Sequence, residues 1–121
     1  MATRVFISQP MGGLSELGIE QLRSRILDWA PRVIGMDECL VEIPKMAKWQ
    51  ADSSHPVYCL GHSIQDMSRA NVVIFAPGWD KARGCLVENA VCKAYKIPHI
   101  ELEVDENGYL KVARREAYAD G

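Results

Sequence analysis

The chain has 121 residues, one domain's worth, and its 48% apolar and 25% charged content is ordinary for a globular fold that needs no metal or disulfide staples. With 14 Lys and Arg against 16 Asp and Glu the net charge is -2, which supplies no broad basic field and argues against nucleic acid as a partner. The longest apolar run, Val72 to Ala76, falls far short of the ~20 residues that cross a bilayer, and the first residues lack a secretory pattern, so a cytoplasmic protein with no membrane partner is expected.

Cys39, Cys59, Cys85 and Cys92 form no CxxC pair, and His55, His62 and His99 sit near none of them in a ligand-like spacing. They read as reduced, mostly buried thiols, and neither a metal nor any other cofactor is expected.

Arg4 to Ser8 is a short apolar run closed by QPMGG, hence a strand feeding a loop. Ile19, Leu22, Ile26, Trp29 and Val33 then recur at helical spacing, with Ser15 as N-cap and Pro31 as terminator, which predicts a helix over about residues 15 to 30. Cys39 to Ile43 reads as a second strand, and the polar stretch from Pro44 to Ser54 as a long surface loop. Pro56 suits a first helical position, and Val57, Leu60, Ile64 and Met67 carry a second helix to about Ala70.

Val72 to Ala76 has no polar alternation, the signature of a strand covered on both faces and so of the central strand. Two apolar rows, Leu86, Ala90, Ala94 and Val87, Val91, Ala94, predict a third helix from Arg83 to Lys96, and Pro98 to Leu102 a fourth strand. The DENG segment between the alternating Ile100, Leu102, Val104 and Leu110, Val112 predicts an antiparallel hairpin. Residues 1–121 thus read as a single α/β domain, a flavodoxin-like doubly wound parallel sheet of about four strands with a small C-terminal hairpin and a loose tail over 113–121.

Right-handed crossovers favour strand one beside strand three with strand two outside. Ligands in such sheets bind at the carboxyl ends of the strands flanking that reversal, which nominates the loop Ser8 to Leu14 and the loop Pro77 to Gly84. In the first, Ser8, Gln9, Pro10, Met11, Gly12 and Gly13 expose backbone N–H groups, although paired glycines equally serve turn geometry. In the second, Pro77, Gly78, Trp79, Arg83 and Gly84 offer an aromatic face, a guanidinium and a helix N-terminus, which suits a nucleoside or nucleotide.

Glu88 lies one turn beyond Gly84 on the same helical face and should point at the cleft mouth. An ionised carboxylate there can attack a sugar's anomeric carbon, or can simply complement the helix dipole. Arg83 reads equally as a phosphate ligand or a surface ion-pair partner, Trp79 as a lid on the core or a stacking surface for a base, and Asp66 as a solvated residue on the polar face of helix two. His62 and Ser63 are adjacent on a helix and diverge by about 100°, which argues against a simple nucleophile-and-base dyad.

FISQPMGG at Phe6 to Gly13, LGHSI at Leu60 to Ile64, and APGWDKARGCLVEN at Ala76 to Asn89 followed by YKIP resemble short phage and prophage proteins of the nucleoside 2-deoxyribosyltransferase-like superfamily, over about residues 4 to 102. The resemblance implies an N-glycosidic-bond enzyme, hydrolase or deoxyribosyltransferase, acting on nucleosides or nucleoside monophosphates. It implies Glu88 as nucleophile and the first and third-strand loops as substrate contacts. It also implies assembly into a homo-oligomer. Two departures stand out: the Asp that family members carry eight positions before the residue opening strand three falls here on Ser63, with Asp66 one turn along as a partial substitute, and Gln9 stands where many relatives have Gly. The competing expectation is a catalytically weak or inactive nucleotide-binding, sequestering module of a phage or prophage.

Overall fold

The computed structural model describes residues 3–10, 15–33, 40–42 and 55–118. Strands and helices alternate as β1 (Thr3–Ser8), α1 (Glu16–Val33), β2 (Leu40–Glu42), α2 (Pro56–Met67), β3 (Val72–Phe75), α3 (Arg83–Tyr95), β4 (His99–Val104) and β5 (Leu110–Glu116), with a 3-10 turn at Trp79–Lys81. One five-stranded sheet has the order β2-β1-β3-β4-β5. The first four strands are parallel, and β5 returns antiparallel to β4. The reversal between β1 and β3 lies where crossover handedness puts it.

The apolar spacing of α1 turns Ile26 and Ala30 onto one face of the sheet, against Val5, Ile7, Val72, Ile74, Ile100 and Leu102. On the opposite face Met67 of α2 and Cys92 of α3 pack with Val73 and Phe75. Helices therefore cover both faces, and β3 is buried at every residue, as its unbroken apolar run requires.

Local signals set the element ends. Ser15 accepts the Gly18 N–H at 3.1 Å and caps α1. At the hairpin, Asp105 Oδ1 accepts from the N–H groups of Asn107 and Tyr109, and Gly108 takes the positive φ of 84° that the reversal needs. The Arg25 guanidinium donates to the Gly108 carbonyl at 2.7 Å, tying α1 to that hairpin.

Several expectations are corrected. Pro31 lies inside α1, which runs on to Val33, because a proline in the last turn removes only one ladder bond from a helix end that is fraying anyway. Val57, expected in the core face of α2, is 78% exposed, since it stands in the first turn, beyond the reach of the sheet. Of the rows expected to bury α3 only Val91 packs on the core: Leu86, Val87, Ala90 and Ala94 are exposed, and the buried face is Cys85, Glu88, Asn89 and Cys92. The tail is ordered through residue 118; β5 pairs as far as Glu116 opposite His99, and the Tyr118 ring stands 5.8 Å from that of His99. Cys39 and the loop over 44–54 lie outside the described residues.

Ile26 is fully buried, so Ile26→Ala should lower the unfolding free energy by about 2–5 kcal/mol, whereas Val57→Ala should change it by less than about 0.5 kcal/mol; urea denaturation of both variants checks the contrast.

Candidate functional site

The carboxyl ends of β1 and β3 are adjacent, with Ser8 opposite Phe75 in the ladder and the Ala76 N–H donating to the Ser8 carbonyl at 2.8 Å. The chain leaves β3 through Pro77 and Gly78, whose φ of 85° is left-handed and favours glycine. A side-chain carbon at Gly78 would come 3.8 Å from the Pro10 ring, so the two nominated loops abut. Trp79 follows, half-buried, with its ring 5.4 Å from that of Phe75, and α3 begins at Arg83 with no side-chain cap from Ala82.

One turn into α3, Glu88 turns inward and is 5% exposed. Its Oε1 accepts the Ser8 hydroxyl at 2.7 Å, a buried bond between residues 80 positions apart. An ionised acceptor makes this the strong class of hydrogen bond, and it fixes the carboxylate's orientation at the end of β1. The Cys85 thiol lies against the same pair: burial pushes it up most, the Glu88 charge adds to that, and hydrogen bonding with Ser8 works against it. Cys92, a turn beyond Glu88, is pushed up to about 12, first by burial and then by the same charge. Both thiols stay protonated at neutral pH, as expected of structural cysteines, and neither they nor Cys59 are in a disulfide.

The remaining nominated residues divide. Gln9 is buried, but its amide is engaged with α1, donating to the Ile19 carbonyl and accepting from Arg23 Nε at 2.8 Å, so it anchors the first loop. Pro77 and Gly84 are half-buried, Gly78 is exposed, and Arg83 is exposed at the helix start. Met11, Gly12 and Gly13 lie outside the described residues. Ser63 is half-buried in the middle of α2. Asp66, expected on a solvated face, is instead 1% exposed in the last turn of α2 and accepts from Arg69 Nη2 at 3.0 Å. The reason is position: the last turn of α2 feeds β3 and packs down on the sheet through Met67.

Sequence reasoning missed a second buried polar pair. Asn89 donates to Glu101 Oε2 at 3.0 Å, with His99 Nε2 3.8 Å and Lys93 Nζ 3.7 Å from that oxygen. The one available signal was His99 and Glu101 alternating with Ile100 and Leu102, a pattern that ordinarily marks a solvated face. Among the described residues no group of three or more His, Cys, Asp and Glu could hold a metal ion. No helix among them is long and apolar enough to cross a membrane.

The chain matches no protein-family model and no curated protein. The structure shows an α/β architecture with a mostly parallel sheet.

A thiol raised on folding makes the folded state hold its proton longer than the unfolded one, so its contribution to stability is present below the ordinary value of 9.0 and is lost as pH rises towards about 12. Urea unfolding of the wild type should therefore weaken across that window, and Cys92→Ala should flatten the slope.

Proposed function

We propose that the chain is an N-glycosidic-bond enzyme acting on nucleosides, deoxynucleosides or their monophosphates, by hydrolysis or by deoxyribosyl transfer, with Glu88 as nucleophile. The observation that carries this reading is the buried Ser8–Glu88 hydrogen bond at the carboxyl ends of the two strands flanking the sheet reversal. The motif resemblance at Phe6 to Gly13 and Ala76 to Asn89 supports it independently of that geometry.

In this reaction the Glu88 carboxylate attacks the anomeric carbon while the C–N bond breaks and its electron pair leaves with the base. The base gains a proton, and water or a second base then displaces Glu88 from the sugar. The Ser8 hydroxyl on Oε1 holds the carboxylate in one orientation. In this reading Trp79, its ring tilted 52° to that of Phe75, offers an apolar wall for a base, and Pro10, Pro77, Gly78 and Gly84 contact the substrate. The uncapped start of α3 beside Arg83 suits a sugar phosphate. Met11, Gly12 and Gly13 complete the first loop in this reading.

Proton delivery falls to Ser63 and Asp66. The Arg69 ion pair on Asp66 favours a second reading, a nucleotide-binding and sequestering module without turnover, because that carboxylate is engaged with a guanidinium of its own segment rather than with a leaving base. The exposed Leu86, Val87 and Tyr95 on α3 support a homo-oligomer.

A panel of deoxynucleosides and their monophosphates, followed by chromatography for free base, tests the proposal. Base release should fall by at least about a thousandfold in Glu88→Gln and by about 10- to 100-fold in Ser8→Ala, the worth of one hydrogen bond to a charged group. Tight binding without base release would establish the module instead.

A further inference from the structure

We infer that Asn89 and Glu101 are positioning residues for Glu88: their hydrogen bond fixes the roll of α3 about its axis so that the adjacent carboxylate meets Ser8. The inference rests on the assignment of Glu88 as nucleophile.

Ser8, Phe75 and Glu101 are register partners across β1, β3 and β4, so their side chains form one row on the sheet face that α3 covers. Neighbouring strands are about 4.8 Å apart, which puts the backbones of Ser8 and Glu101 roughly 10 Å apart with Phe75 between them. Successive helical residues diverge by about 100°, so positions 88 and 89 reach down on opposite flanks of that row. Glu88 accepts from Ser8 at 2.7 Å on one side, and Asn89 donates to Glu101 at 3.0 Å on the other.

Apolar contacts such as those of Val91 and Cys92 with the cluster around Val73 and Phe75 tolerate a small roll of the helix, because they are not directional, and the 3.9 Å bond from the Cys92 thiol to Met67 Sδ is a weak one. Two hydrogen bonds on opposite flanks do not: a roll in either sense stretches one of them. No side-chain cap at Ala82 holds the helix start, so these bonds carry the alignment. Glu101 is itself held. Lys93 Nζ stands 3.7 Å from its Oε2, and the ring of His99, oriented by Nδ1 beside the Ile97 carbonyl, closes the other side with Nε2 3.8 Å away, beyond hydrogen-bond distance. Stability alone does not account for such a pair, since apolar residues of equal volume serve a core at least as well.

A double-mutant cycle on the full chain decides the matter, with Asn89→Ala, Glu101→Ala and the two combined. Two readouts are taken: base release by chromatography, and the Glu88 side-chain carboxyl carbon by NMR, with Ser8→Ala marking the resonance of a Glu88 that lacks its bond. Each single variant should move that resonance towards the Ser8→Ala position and lower kcat by up to about a hundredfold with KM within about twofold. The combined variant should be no worse than either single one, because both remove the same bond. Asn89→Leu keeps the volume and removes the donor; it replaces an alanine variant that fails to fold and should displace the resonance in the same direction. A Glu88 resonance unmoved in folded variants, or effects that simply add, overturns the inference. If the wild type releases no base from any substrate, the glycosidic reading falls, and the resonance alone decides whether the pair positions Glu88.

Discussion

A carboxylate under cover is the constraint on which this structure turns. An ionised group taken out of water must be met by donors, and Glu88 meets the Ser8 hydroxyl. That bond needs β1 beside β3, needs α3 to start immediately over the carboxyl end of the sheet, and needs the side chain at the end of β1 to be a small donor. Burial first, and the same charge after it, keep the Cys85 and Cys92 thiols protonated.

The two faces of the sheet are built differently. Beneath α1 the contacts are aliphatic, a continuous cluster from Val5 to Leu110, and this face supplies most of the hydrophobic stabilisation. Beneath α3 the apolar cluster is smaller, and it is bordered by a polar row in which Ser8 and Glu101 flank Phe75. Directional bonds there replace bulk packing, which gives that helix one alignment where apolar packing alone leaves some freedom.

Much of the fold was legible in the residues. The unbroken run Val72 to Phe75, the helical spacing from Ile19 to Trp29, the Ser15 cap and the DENG turn each act locally, and each gave the element found. The nomination of Ser8 and Glu88 for one hollow also followed from crossover handedness and helical period, and the structure brings the two together. The misreadings share one cause. Period analysis assumes that buried faces are apolar, so it turned Leu86 and Val87 inward and Asp66 to solvent, while the structure does the reverse in each case. Polar residues that find partners on other elements escape that assumption.

By itself, then, the sequence determined the order of elements, the parallel sheet and the pair of loops at its reversal, because those follow from short-range periodicity, turn chemistry and the handedness of the chain. Which face of α3 is buried, that Asp66 is engaged by Arg69, and that Asn89 meets Glu101 were decided only by tertiary structure. A hydrogen bond between residues 12 or 80 positions apart leaves no trace in local spacing, and its partners are defined only once the strands are in register.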